Sequence, residues 1–209
     1  LKQPQTLRFI AGAAPEKTVR LLEEGLLRTT HEERLGISDD PRRELMWALE
    51  QLLFRAETSR RSLKLIWLLA EAENESWGNN ATGVLLECFH PLHSQMPLPL
   101  DERLDALREF TLTSGSREGT LVAIRAAGKA LSQRAVGLRH STGTAPLDRR
   151  PVFTYGDLHD YARNVIDHLF SIVDSAENEI AQAALEQLPT LVSELATQGR
   201  PKEALERLN

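Results

Sequence analysis

Residues 43–55 read RELMWALEQLLFR, and apolar side chains recur in this stretch at intervals of three and four residues. A helix with 3.6 residues per turn gathers side chains at that spacing on one stripe, here Leu45, Leu49, Leu52 and Leu53. The preceding DDP at residues 39–41 supplies an N-cap and a proline suited to the first helical turn. The spacing predicts an amphipathic helix that buries its leucine stripe.

The same spacing extends over most of the chain, while alternation with a period of two is absent. It predicts an all-α fold. Further helices are expected over residues 59–73, 76–89, 100–112, 118–135 and 155–173, followed by two or three shorter ones. Short turns between the helices favour an α-solenoid of stacked helical hairpins, of the HEAT or armadillo kind, with an irregular helical bundle as the alternative. Residues 137–153, rich in Ser, Thr, Gly and Pro, are expected to form a flexible loop.

We expect one helical-repeat domain over residues 1–209. Residues 42–53, 101–112 and 178–192 share the pattern of a first helix of a pair, although no fixed period relates them. The chain does not begin with Met, and residues 201–209 have the pattern of a helix that continues to the last residue. The sequence is therefore expected to be a piece of a longer protein.

The composition is that of an ordinary globular chain, with 209 residues, 41% hydrophobic and 26% charged. No apolar run approaches the roughly 18 residues needed to span a bilayer, and the first residues lack the features of a signal peptide. The single cysteine, Cys88, cannot form a disulfide within the chain. These features indicate a cytoplasmic protein with no membrane partner.

The stretch LAEAENESWGNNATG at residues 69–83, together with the apolar helix before it, resembles the helical-repeat (HEAT-like) regions of large bacterial proteins that carry a STAND-type, signal-transducing P-loop ATPase. The resemblance covers a minority of the chain and contains no catalytic motif. It implies a sensor or scaffold segment of a bacterial protein whose ATPase part is absent from this chain. Taken by themselves, Trp77, Asn79 and Asn80 are expected to be an aromatic anchor and two amides that hydrogen-bond between helices.

Two groups of residues could bind a metal ion. Cys88, His90 and His93 offer three possible ligands within six residues, but zinc requires a fourth ligand or an open water site, and Pro91 interrupts the helix between them. The pair His159-Asp160 resembles part of the metal-binding order of helical HD phosphohydrolases, in which a histidine precedes and an aspartate follows such a pair.

The other ligands that this metal-binding order needs are poorly placed around His159-Asp160. His140 lies in the expected loop, Asp167 lies on the same helix as the pair, and Asp174 is further along the chain. A solvated, capped helix face is the preferred interpretation of the polar residues there, which are Asp157, Asp160, Asn164 and Asp167. We therefore predict no metal site.

The sequence also predicts neither a phosphate-binding loop nor a reactive cysteine. Gly119 and Gly128-Lys129 have the wrong spacing for a phosphate-binding loop, and Ala130 stands where that loop needs Ser or Thr. Cys88 is expected to be buried, with no nearby cation other than the histidines to lower its pKa. The sequence thus predicts no catalytic residue and no cofactor.

The distribution of charge is the sequence feature that most strongly suggests a function. Residues 117–150 carry seven basic and two acidic residues, a net charge of +5 in a chain of −5. Arg125 and Lys129 lie one turn apart beside the expected loop, and we predict that they contact an anion or an acidic partner together with Arg139, Arg149 and Arg150. The alternative is that these arginines solvate one face or pair with acidic residues of the C-terminal helices.

The sequence therefore favours a non-enzymatic segment that binds a protein partner or other domains of its own chain. The alternative is a helical-repeat module that binds nucleic acid through its basic face, which strong salt dependence of binding would reveal. A helical metal-dependent phosphohydrolase is the third hypothesis.

Overall fold

The computed structural model describes residues 6–93, 95–132 and 151–188, and within these ranges it contains α-helices and no β-strand. The all-α prediction is confirmed. In chain order the helices are α1 Thr6–Ala13, α2 Pro15–Leu26, α3 His31–Leu35, α4 Asp39–Leu53, α5 Ser59–Glu71, α6 Ala81–Phe89, α7 Leu100–Thr113, α8 Arg117–Ala130, α9 Tyr155–Ser175 and α10 Asn178–Leu185.

The predicted bounds hold within two residues for α5, α7 and α9, and differ more for other helices. The helix α4 begins at Asp39, with Ser38 as the N-cap residue, so the prediction that the aspartates cap this helix is wrong. Asp39 has a positive φ of 56°, a region that Asp adopts more readily than most residues. Its backbone N–H donates to Glu75 Oε1 at 2.6 Å, which ties the start of α4 to the segment after α5.

Three helices, α1 to α3, precede the first helix that the sequence analysis delimited. Pro15 occupies the first turn of α2, and Thr30 and Glu33 form a reciprocal capping box at the start of α3. Part of the predicted loop, residues 137–150, and the expected helices after residue 188 lie outside the described residues. Residues 151–153 form no regular structure, and a capping box between Thr154 and Asp157 starts α9.

The contacts between helices follow chain order in large part. Helix α1 packs on α4, α4 on α5, and α7 on α8 and α9. Helix α5 also contacts α2, α6 and α8, α6 contacts α8, and α10 contacts α9 and α8.

An aromatic cluster joins α5, α6 and α7. The rings of Trp67 on α5 and Phe110 on α7 stack with centroids 4.7 Å apart, and Phe89 of α6 meets Phe110 edge-on at 6.3 Å. All three side chains are buried. Such ring pairs add to the apolar burial that holds α5, α6 and α7 together.

Two fully buried arginines organise the connections between helices. Arg42, in the first turn of α4, donates to the carbonyl oxygens of Leu69 and Ala72 at the end of α5, at 2.7 and 2.9 Å. It also donates to the Arg34 and Ile37 carbonyls, at 3.1 and 3.2 Å. A single guanidinium thereby donates to four carbonyls of two connections, of which those of Arg34 and Leu69 also accept a backbone N–H.

Arg103 has the corresponding position in the first turn of α7. Its guanidinium donates to the carbonyls of His90, Met96 and Leu98, at 2.9, 3.2 and 2.9 Å, and so fixes the connection from α6 to α7. Desolvation lowers the pKa of both buried arginines. The two side chains perform the same task in two successive parts of the fold.

No helix in the described parts of the chain combines the length and the apolar character that crossing a membrane requires.

Candidate functional site

A cleft with a volume of about 850 Å³ opens between the end of α5, the segment 72–80, α8 and α10. Helix α8 contacts both α5 and α10. Its lining residues are Ala70, Glu71, Glu73, Ser76, Trp77, Gly78, Asn80, Thr82, Gly83, Glu118, Leu121, Val122, Ile124, Arg125, Ala183, Glu186 and Gln187. A cleft of this size, with apolar and polar walls, is a candidate for a binding site.

The segment 72–80 forms one wall and is held by side-chain hydrogen bonds. Asn74 donates to the Leu35 and Ile37 carbonyls, at 2.5 and 3.1 Å. Trp77, half-buried, donates from Nε1 to Glu75 Oε2 at 3.0 Å. The hydrogen bonds that Glu75 accepts from Asp39 and Trp77 lower the pKa of its carboxyl. The wall is therefore a fixed structure that presents an indole to the cleft.

Asn80 ends this segment and starts α6. Its side-chain oxygen accepts from the Gly83 N–H at 2.8 Å, which makes it the N-cap residue. Its amide nitrogen donates to the Glu75 carbonyl at 2.6 Å. The prediction that Asn80 bonds between helices is wrong, because both bonds are local. This cap also explains why α6 starts at Ala81 rather than near residue 76.

Gly83 allows the wall to pack against the first turn of α6. A Cβ atom at this position would lie 2.6 Å from the Gly78 carbonyl oxygen, a backbone atom that cannot move without distorting the segment. We expect Gly83→Ala to lower the free energy of unfolding by about 1–3 kcal/mol, the usual cost of overpacking. Urea unfolding followed by circular dichroism measures this change.

The matched control for that prediction is Gly25→Ala in α2, where no atom lies within 4 Å of the added Cβ. Because alanine favours a helix over glycine by up to about 1 kcal/mol, this control is expected to stabilise the protein. Equal effects at the two glycines would contradict the close approach at Gly83.

Two carboxylates in the cleft, those of Glu71 and Glu73, already have partners within the protein. Glu71 accepts from the Ser116 hydroxyl and lies 3.5 Å from Arg34 Nη2. Glu73 accepts from the Thr82 N–H at 2.9 Å and lies 3.3 Å from Arg42 Nη2. Both are largely shielded from solvent, with 7% and 16% of their side chains exposed. Their charges are balanced inside the protein, so they contribute little to the charge that a ligand meets.

The predicted basic contact is only partly within the described residues. Arg125 is exposed, lines the cleft and forms no ion pair with any described residue. Lys129, one turn further, pairs with Glu87 of α6 at 2.9 Å. Arg117 pairs with Glu179 of α10, as the alternative interpretation of the arginines expected. Arg139, Arg149 and Arg150 lie outside the described residues.

The cysteine and histidine group is a structural cluster. Cys88 and His90 are buried. The Cys88 thiol donates to the Val84 carbonyl at 3.1 Å, and burial raises its pKa to about 12, which is unsuited to a nucleophile. His93 stacks on the ring of Phe54 with centroids 5.9 Å apart. Within the described ranges, no three His, Cys, Asp or Glu side chains are placed to bind one metal ion.

His93 gives the protein a defined sensitivity to acid. Desolvation, strengthened by the nearby Arg103, lowers the pKa of His93 to about 4, below its ordinary value of 6.5. The folded state therefore binds fewer protons than the unfolded state between these values. The corresponding stability is complete well above pH 6.5 and is lost as the pH falls towards 4, by about 3 kcal/mol.

Chemical unfolding of wild type and His93→Gln at several pH values tests this. The free energy of unfolding of wild type is expected to fall by about 3 kcal/mol relative to that of His93→Gln between pH 7 and pH 4. His159→Gln is the control, because His159 is exposed on α9. A difference that does not change with pH would show that His93 titrates normally.

The pair His159-Asp160 lies on the solvated face of α9. Asp160 accepts from Arg163, and Asp157 belongs to the capping box with Thr154. Asp167 is exposed on the same helix. This arrangement agrees with the solvated, capped face that we preferred, and His140 lies outside the described residues.

The sequence analysis missed Glu118 and Glu186, which lie on the α8 and α10 sides of the cleft. Both are exposed. No motif marks them, and only the contact of α8 with α10 brings them to one site. The sequence signal for this cleft was the segment 69–83, because its run of Asn, Trp and Gly is unusual for a connection between two helices.

Comparison with known proteins adds no relative: no protein-family model, no curated protein and no solved structure matches this chain significantly.

Proposed function

We propose that this chain is a non-enzymatic interaction segment, a scaffold or sensor part of a larger cytoplasmic bacterial protein, and that it binds a peptide segment of a partner in the cleft. The observation that carries the proposal is the cleft itself, with an apolar floor, a half-buried indole and exposed charged side chains at its edge. Interfaces commonly combine an apolar, aromatic centre with a polar rim in this way.

The order of the helices supports an α-solenoid as the architecture of this segment. The hairpins α4–α5 and α7–α8 each begin with a buried arginine in the first turn, and their second helices contact each other. In stacked-hairpin proteins the second helices form a continuous surface that binds extended partners. The cleft lies beside α5 and α8, the second helices of these two hairpins.

Nucleic-acid binding, the alternative function, has weaker support. Of the basic residues on α8, Arg117 and Lys129 are paired with carboxylates, which leaves Arg125 for a phosphate. Arg125 also shares its cleft with several acidic residues. The phosphohydrolase hypothesis would require the pair at His159 to acquire ligands from another element.

Selection from a phage-displayed library of random twelve-residue peptides tests the proposal. We expect the full chain to enrich peptides whose binding is lost in Leu121→Arg, because Leu121 lines the cleft and is only half-buried. Leu112→Arg is the control, since Leu112 is 82% exposed at the end of α7 and does not line the cleft. The proposal would be overturned if no enriched peptide bound Leu112→Arg and failed to bind Leu121→Arg.

A labelled DNA or RNA oligonucleotide tests the alternative function. Tight binding that falls steeply with salt and is lost in Arg125→Glu would favour the nucleic-acid hypothesis instead.

A further inference from the structure

The charged groups of the cleft fall into two classes. Glu71 and Glu73 are held by Arg34 and Arg42 and are mostly buried. Glu118 and Glu186, in contrast, are exposed and line the cleft from two different helices, on α8 and at the end of α10. Only the second class is available to a ligand.

The exposed carboxylates are weakly engaged within the protein. Glu118, with 56% of its side chain exposed, has Arg117 at 3.6 Å, but that guanidinium is directed to Glu179 through two hydrogen bonds. Glu186 accepts from the Gln182 side chain at 3.1 Å and pairs with no cation of the described residues. Within the described part of the chain, a ligand cation would therefore have no strong internal partner to displace.

Among the described residues that line the cleft, Arg125 is the one cation. Two available carboxylates against one guanidinium give the rim a negative balance, because the charges of Glu71 and Glu73 are already compensated. The floor between them is apolar and includes Leu121, Val122 and Ala183. The cleft thus offers apolar contact at its centre and negative charge on two sides.

We infer that the partner segment is basic: a peptide with lysine or arginine side chains placed to contact Glu118 and Glu186, and an apolar side chain between them placed against Leu121 and Trp77. This inference rests on the proposed function of the cleft as a peptide-binding site. Charge complementarity of this kind selects partners and disfavours those of the wrong sign. An acidic peptide, which Arg125 alone would favour, meets two carboxylates for each cation.

The test uses the peptides that the full chain enriches from the random library. We expect them to contain more lysine and arginine than the unselected library, and to lose affinity by about tenfold or more in the double variant Glu118→Lys/Glu186→Lys. The matched control is Glu16→Lys/Glu24→Lys, which makes the same change of charge on exposed positions of α2. Circular dichroism confirms that each variant is folded.

The other outcomes separate the inference from the proposed function. Two outcomes would overturn the basic partner but keep the proposed function, because Leu121→Arg would still abolish binding. In one, the enriched peptides are acidic and depend on Arg125. In the other, they have no charge bias and bind the double variant as tightly as wild type. A decrease that is equal in the cleft and control variants would overturn it as well, because it would reflect net charge alone. Failure to enrich any cleft-dependent peptide would overturn both the inference and the proposed function.

Discussion

Replacement of Arg42 by methionine is expected to lower the free energy of unfolding by about 3–5 kcal/mol. The guanidinium is 0% exposed and donates to four carbonyls, and its loss leaves these groups and the carboxylate of Glu73 without their partner. Breaking a buried charge pair by removal of one member has a cost of this order. Methionine fills part of the space, so the loss reports mainly on the polar groups left behind.

Urea unfolding of Arg42→Met beside Arg43→Met measures this effect. Arg43 is the next residue of α4, 43% exposed, with a surface pair to Asp40 and a cation–π contact to Trp77 at 5.8 Å. Such exposed interactions contribute about 1 kcal/mol or less. Similar losses at the two positions would show that burial of Arg42 does not matter to stability.

Arg103→Met is expected to lower the free energy of unfolding by about 2–4 kcal/mol, because three carbonyls of the connection between α6 and α7 lose their donor. No carboxylate pairs with Arg103 among the described residues, so the expected loss is smaller than at Arg42. Phe153, whose ring centroid lies 5.8 Å from the guanidinium, loses a contact as well.

Two further variants make this prediction specific. Arg103→Lys keeps the charge but cannot direct donors to three carbonyls at once, so we expect it to recover less than half of the loss. Arg108→Met, on the same helix and 42% exposed, is expected to have an effect within about 0.5 kcal/mol. Full rescue by lysine would mean that charge, rather than the arrangement of hydrogen bonds, stabilises this connection.

The sequence was informative about helices and much less so about the connections between them. The leucine stripe of α4 and the regular spacing in α5, α7 and α9 identify these elements, because burial of one helix face imposes the period. The buried arginines were not predicted, since a charged residue at a helix start ordinarily faces water. Their burial depends on carbonyls contributed by segments that the pattern does not connect to them.

The site was predicted only in fragments. The segment 69–83 and Arg125 were both singled out, but for unrelated reasons and without a link between them. Their meeting in one cleft depends on the contact of α5 and α6 with α8, and the periodicity of a helix shows which face is buried but not against which neighbour. Glu186 lies still further along the chain, so its place at the cleft could not be derived from local pattern.

The two buried arginines differ in the direction along the chain in which their partners lie. All three carbonyls bound by Arg103 precede it, between residues 90 and 98, whereas Arg42 also needs Leu69 and Ala72, up to 30 residues after it. Because a protein is synthesised from its N-terminus, Arg103 finds its acceptors already outside the ribosome. The guanidinium of Arg42 stays in contact with water until α5 has been synthesised. The connection that Arg103 holds can therefore form as soon as that residue emerges, whereas the connections that Arg42 holds stay incomplete until α5 has emerged, and during this interval the nascent chain is open to chaperones and proteases.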